Sequence, residues 1–134
     1  MNMPATVDTR FFLTHYVADT DELKLKTSRR MVDLQRESAI VPTIVLHEVY
    51  KFMHENVGKD AAQLRVNSIL TSRFTIVDLT SKIALISAAL RCRYGDLPTA
   101  DSIVAGTSIE TKSKRVLSDD PHFKRMKEIH SEWL

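Results

Sequence analysis

The chain has 134 residues, 43% of them hydrophobic and 27% charged, a globular balance that excludes a disordered majority and allows one domain with its own core. Its formal charge of +2 suits a polyanion only weakly, and its single cysteine, Cys92, excludes an internal disulfide and a cysteine-built zinc site, as fits a reducing cytoplasm. No apolar stretch reaches bilayer length, and Met1-Asn2-Met3-Pro4 does not open a signal peptide, so no membrane association is expected.

The apolar run Ala5 to Val7 predicts a short buried strand, and Thr9 to Tyr16 continues at helical spacing. Thr20-Asp21-Glu22 starts a helix with its acids at the positive end of the dipole; it runs to about Glu37 and buries Leu23, Met31 and Leu34. Ala39 to Val41 is a second strand, closed by Pro42. A helix follows from Thr43 to about Val57, ended near Gly58. The next, Asp60 to Ser72, carries Ala61, Leu64, Ile69 and Leu70. Phe74 to Val77 is the third strand. Thr80 caps a helix reaching Tyr94, with Gly95 as a left-handed terminator. Thr99 to about Thr111 is helical, and its Ala105-Gly106-Thr107-Ser108 lets another element approach closely. Arg115 to Leu117 is the fourth strand, Pro121 to about Met126 a short helix, and His130 to Leu134 an edge strand. Short apolar strands alternating with helices mean an α/β fold with a mainly parallel sheet of four to five strands flanked by helices, in one domain over residues 1–134.

Four acids occupy positions that such a sheet would gather. Asp8 ends the first strand, Glu48 lies on a helix on the stripe Ile44, Glu48, Phe52, Asp101 opens a helix, and Asp120 follows the fourth strand. Groups at strand carboxyl ends and the following helix starts converge on one crevice in a doubly wound sheet. Carboxylates gathered there repel each other unless cations sit between them, which points to a divalent metal and so to phosphate chemistry. Each acid also has an ordinary structural role open to it. Asp8, Asp101 and Asp120 stand where helix caps and first-turn acids stand, and Glu48 could reach solvent from the edge of its buried arc. On an apolar-flanked stripe, Glu48 is costly unless a charge or donor meets it.

Four segments carry a family resemblance: Val7-Asp8-Thr9-Arg10-Phe11-Phe12-Leu13; Pro42-Thr43-Ile44-Val45-Leu46-His47-Glu48-Val49; Leu97-Pro98-Thr99-Ala100-Asp101-Ser102-Ile103-Val104-Ala105, the most specific; and Val116-Leu117-Ser118-Asp119-Asp120-Pro121-His122-Phe123. Together they resemble the PIN-domain family, more narrowly its VapC-type toxin ribonucleases, over nearly the whole chain. Two departures stand out. Asp119 is a rival to Asp120 for the fourth acidic position, and Ser102 replaces a frequent alanine.

The resemblance implies a Rossmann-like PIN fold, a Mg²⁺ or Mn²⁺ site on Asp8, Glu48, Asp101 and Asp120, and cleavage of RNA phosphodiester bonds. It also implies a homodimer and, for many members, a VapB-type antitoxin encoded nearby. Within that picture Thr9 and Ser118 orient the carboxylates, and Arg10, Lys124 and Arg125 are placed for RNA phosphates. Lys112, Lys114 and Arg115 lead into the fourth strand, belong to the opposite end of the sheet, and are read as solvated surface. Two other readings keep the fold: a housekeeping nuclease of RNA processing or decay, and a non-catalytic binding module. The complete acidic set speaks against the module, and an antitoxin frame just upstream would separate toxin from housekeeping enzyme.

Other signals fail. His47-Glu48 begins like a zinc-protease motif, but Lys51 holds the second histidine's place. Arg10 stands where an aspartyl-phosphate phosphatase has its second acid, and three scattered glycines cannot form a phosphate loop. His15, His47, His54, His122 and His130 show no ligand spacing and are read as surface or packing residues. Cys92 is read as a small packing residue and Trp133 as a terminal anchor.

Overall fold

The computed structural model describes residues 3–134; Met1 and Asn2, which begin the segment read above as no signal peptide, lie outside the described residues. The elements follow in the order β1 (Thr6–Val7), α1 (Thr9–Tyr16), α2 (Asp21–Arg36), β2 (Ile40–Pro42), α3 (Thr43–Asn56), α4 (Lys59–Thr71), β3 (Thr75–Val77), α5 (Ser81–Arg93), α6 (Thr99–Glu110), β4 (Arg115–Leu117), α7 (Pro121–Lys124) and β5 (His130–Glu132). The strands form one sheet in the order β3-β2-β1-β4-β5, every pair parallel. From β1 the chain builds outward to β2 and β3, then returns to the other side for β4 and β5. The order therefore reverses between β1 and β4, and a crevice opens beyond their carboxyl ends.

Local chemistry sets the boundaries. The Thr20 side chain accepts the Leu23 N–H and the Thr80 side chain accepts the Ile83 N–H, each closing an open helix start. Gly58, at φ 139, releases the chain from α3 into α4. The central strands are buried on both faces, with Ala5, Val7, Val41, Val116 and Leu117 fully enclosed beside Phe11, Phe12, Leu34 and Phe123. Helix α6 lies at the centre, with Ser102 through Ser108 all buried. A Cβ on Gly106 would stand 3.3 Å from both the Ile83 carbonyl oxygen and the Ser87 nitrogen, so the glycine sets how closely α5 approaches. Ser102 is buried here. Its hydroxyl donates to the Thr99 carbonyl at 2.6 Å and so accepts from Ser87 at 2.6 Å.

Several expectations need correction. Gly95 has no left-handed backbone: the Leu97 N–H bonds the Tyr94 carbonyl at 3.0 Å, a turn that leads straight into α6. In α4 the buried positions are Ala62 and Ile69, while Leu64 and Leu70 face solvent on the side of α4 turned away from α3, its main packing partner. In α2, Leu23 and Met31 are half-buried, and the fully buried partner of Leu34 is Thr27, whose hydroxyl is satisfied by the Leu23 carbonyl. Cys92 is exposed on α5 rather than packed. Arg115 is not solvated surface: its guanidinium bonds Glu132, its charge faces Glu37, and it donates to the Met3 carbonyl, tying β4, β5 and the N-terminal segment together. Trp133 meets Phe11 edge to face at 6.4 Å, an anchor for the C-terminal segment. Among the described residues no helix is long and apolar enough to cross a membrane.

Candidate active site

The end of β1 delivers Asp8 to the switch point, and β4 delivers Ser118, Asp119 and Asp120 beside it. The Asp8 N–H bonds the Leu117 carbonyl at 3.2 Å, and the Ser118 hydroxyl donates to Asp8 Oδ2 at 2.7 Å. The same hydroxyl accepts the Asp120 N–H at 3.1 Å, so one serine fixes the positions of two acids. Asp8 is only 2% exposed. Burial pushes its carboxyl up to about 7, helped by the charges of Asp101 and Glu48 and opposed by the Ser118 hydrogen bond and the Thr9 N–H.

Helix α3 brings Glu48, half-buried as its stripe predicts, and the donor that meets it is the Thr9 hydroxyl, at 2.6 Å from Oε1. Helix α6 brings Asp101 in its first turn. Burial and the neighbouring Asp120 and Glu48 raise it to about 6, against the pull of His122 and Arg10. Asp120 caps α7, with Oδ1 accepting the His122 N–H at 2.9 Å and lying 2.7 Å from the His122 ring Nδ1. That ring nitrogen is also 3.5 Å from Asp101 Oδ2.

Ligand atoms of Asp101, Asp120 and His122 fall within 4.8 Å of one another. Asp8 and Glu48 lie outside this tight set, but their charges act on it from the same crevice. His122 is the residue that sequence reasoning missed, and reading it as a surface or packing histidine is corrected here: its ring bridges two of the acids. The available signal was its position two residues beyond Asp120, in the first turn of a helix that Asp120 caps. Asp119 points elsewhere, into an ion pair with Arg10 at the rim. Arg125 pairs with Asp96, and Lys124 is exposed.

Oxygen-rich donors with one imidazole suit hard divalent cations such as Mg²⁺ and Mn²⁺. A buried carboxylate crowded by others of its kind is also the group a cation would relieve. The donor set therefore fits such an ion.

An all-parallel doubly wound sheet with an acidic cluster at its switch point defines the class: an α/β protein built to hold charge at one crevice. The particular family follows from the sequence, since the PIN domain model matches residues 5–129, and the chain belongs to the PIN-domain family. No curated protein matches the sequence. Solved structures share the fold. They include VapBC2 from Rickettsia felis bound to a fragment of its promoter DNA, with a TM-score of 0.76, 17% identity and 96% of each chain covered. DNA-bound VapBC from Salmonella typhimurium aligns with a TM-score of 0.74 at 17% identity over 95% of each chain. FitAcB from Neisseria gonorrhoeae aligns at 0.71 and 16% over 93% of this chain and 94% of that one.

Proposed function

We propose that the protein is a metal-dependent endoribonuclease, the toxin of a VapBC-type toxin–antitoxin pair acting in the cytoplasm. The observation that carries the reading is the convergence of Asp8, Glu48, Asp101 and Asp120 from four elements on one crevice, in a fold shared with VapBC complexes. Those four acids would hold Mg²⁺ or Mn²⁺, with His122 against Asp101 and Asp120. When bound, such an ion lowers the pKa of water and polarises a phosphate oxygen.

The chain's own residues do the rest. Ser118 holds Asp8 and the Asp120 backbone in register, and Thr9 holds Glu48, so the acids meet a substrate already oriented. The rim cations Arg10, Lys124 and Arg125 would steer and seat the phosphate backbone, Arg10 and Arg125 exchanging their present carboxylate partners for phosphate. Water gives up a proton and attacks phosphorus in line, the bond to the 3′ oxygen breaks and that oxygen takes up a proton, and the products carry a 5′-phosphate and a 3′-hydroxyl.

The protein would act as a homodimer, and the exposed Leu85 and Cys92 side of α5 offers a surface for it. A VapB-type antitoxin would restrain it, presenting Arg or Lys to the carboxylates.

RNA incubated with purified protein should be cleaved with Mg²⁺ or Mn²⁺ and spared with EDTA. Asp8→Asn and Asp101→Asn should each abolish cleavage while keeping the fold. Full cleavage by either variant, free of contaminating nuclease, would falsify the assignment.

A further inference from the structure

Away from the acids, a cavity of about 190 Å³ opens where α1, α2 and α4 meet; its lining includes His15, Tyr16, Gln35, Arg65, Ser68 and Phe74. Its chemistry is the reverse of the acidic site. The Arg65 guanidinium carbon lies over the Tyr16 ring, 4.5 Å from the centroid. Lys24 stands beside it, its ammonium 2.9 Å from the His15 carbonyl oxygen, and its charge and that of Arg65 are both felt at His15. Among the described residues neither Arg65 nor Lys24 has an acidic partner, and nothing accepts the Tyr16 hydroxyl proton. His15 does not compensate the cations. The Thr27 hydroxyl gives its proton to the Leu23 and Lys24 carbonyls, so it accepts from His15 Nδ1 at 2.7 Å, and burial with the two neighbouring cations lowers the ring to about 4, which keeps it neutral near pH 7.

One guanidinium fork satisfies a lone carboxylate. Two uncompensated cations with a phenol beside them suit an anion with more acceptor oxygens and more charge. Thr9, Leu13 and Tyr16 follow one stripe of α1, so the cavity lies about 10 Å along that helix from the acids. A strand whose phosphate is at the acids could lay a flanking phosphate here.

We propose that this cavity is a phosphate-binding subsite, in which Arg65 and the Tyr16 hydroxyl, with Lys24 reaching in from outside the lining, hold a phosphoryl group of the bound RNA. The phosphate chemistry stands on the cavity alone; the RNA source rests on the nuclease reading.

Two arms test them separately. Inorganic phosphate, added at constant ionic strength, should shift the His15 and Tyr16 ring signals in NMR, and Lys24→Ala and Arg65→Gln should each weaken that response. In the second arm, Asp8→Asn protein binds a single-stranded RNA without cleaving it. Adding either substitution should weaken binding roughly threefold at moderate salt and lower the salt slope by about 0.7. Equal shifts in wild type and both variants, or none, would overturn the subsite. A phosphate response with unchanged RNA affinity and slope keeps the subsite for free phosphate and overturns the RNA assignment. Displacement of phosphate by an acidic peptide but not by RNA overturns it as well.

Discussion

Ser118 shows how much rests on a hydroxyl with no charge of its own. It is buried, donates to Asp8 and accepts from the Asp120 backbone. Ser118→Ala should therefore lower metal affinity and cleavage about 10- to 100-fold with every acid still present, the usual cost of losing a group that orients a ligand. Mn²⁺ titration and single-turnover rates check this; unchanged values would make the serine a plain turn residue. His15 makes a pH prediction. Burial, then the charges of Lys24 and Arg65, lower it to about 4 from the ordinary 6.5. The unfolded chain then binds the extra proton between those values, so this contribution to stability is full above 6.5 and is lost as pH falls toward 4. The stability of wild type relative to His15→Gln, from urea melts, should fall across that window; a constant difference would refute it. The acids were legible in the sequence because chain position alone carries them to the crevice. His122 was not, because its ring reaches the site through a short helix with no periodicity to read.

At the scale of elements, α6 is the piece that most other parts lean on. Gly106 meets backbone atoms of α5, which cannot swing aside as a side chain can. Gly106→Ala gains up to about 1 kcal/mol of helix propensity but overpacks the contact at about 1–3 kcal/mol, so a net loss near 1 kcal/mol is expected in denaturant melts. The first turn of α6 carries a second expectation. Asp101→Asn removes one repelling charge and, on the proposed metal site, one ligand, so it should melt higher than wild type in EDTA and gain less from added Mg²⁺. Its lost interaction with the helix dipole opposes this by roughly 0.3–1 kcal/mol, less than expected from several crowded carboxylates. A variant that melts lower in EDTA and gains as much from Mg²⁺ as wild type would make Asp101 a helix-start residue. Helix and strand limits were legible to within a residue or two because capping threonines, prolines and Gly58 mark them. The exposure of Leu64 and Leu70 was not, since an apolar residue on a helix says nothing about whether a neighbour covers that side. Gly95 misled for a related reason: a helix-ending glycine serves a tight turn as well as a left-handed cap, and only the next element decides.

Across the whole molecule, the sheet separates two chemistries. Carboxylates gather beyond the carboxyl ends of β1 and β4. At the other end the Arg115 guanidinium ties Glu132, Glu37 and the N-terminal segment, with Arg30 joining Glu132 at 3.0 Å. The parallel layout was readable from strands alternating with helices. The ion network was not, because its members lie up to 102 residues apart in sequence, as Arg30 and Glu132 do. The edge strand β5 belongs to both ends. Its last carbonyl, on Glu132, accepts the Ser118 N–H at 2.9 Å, directly behind the serine that holds Asp8. The β5 segment thus acts as a keystone, and on the proposed nuclease function a chain cut after Ile129 should be nearly inert toward RNA although all four acids of the crevice survive. Likewise, an affinity tag joined rigidly to Leu134 should dampen cleavage from a distance, although it touches none of the acids.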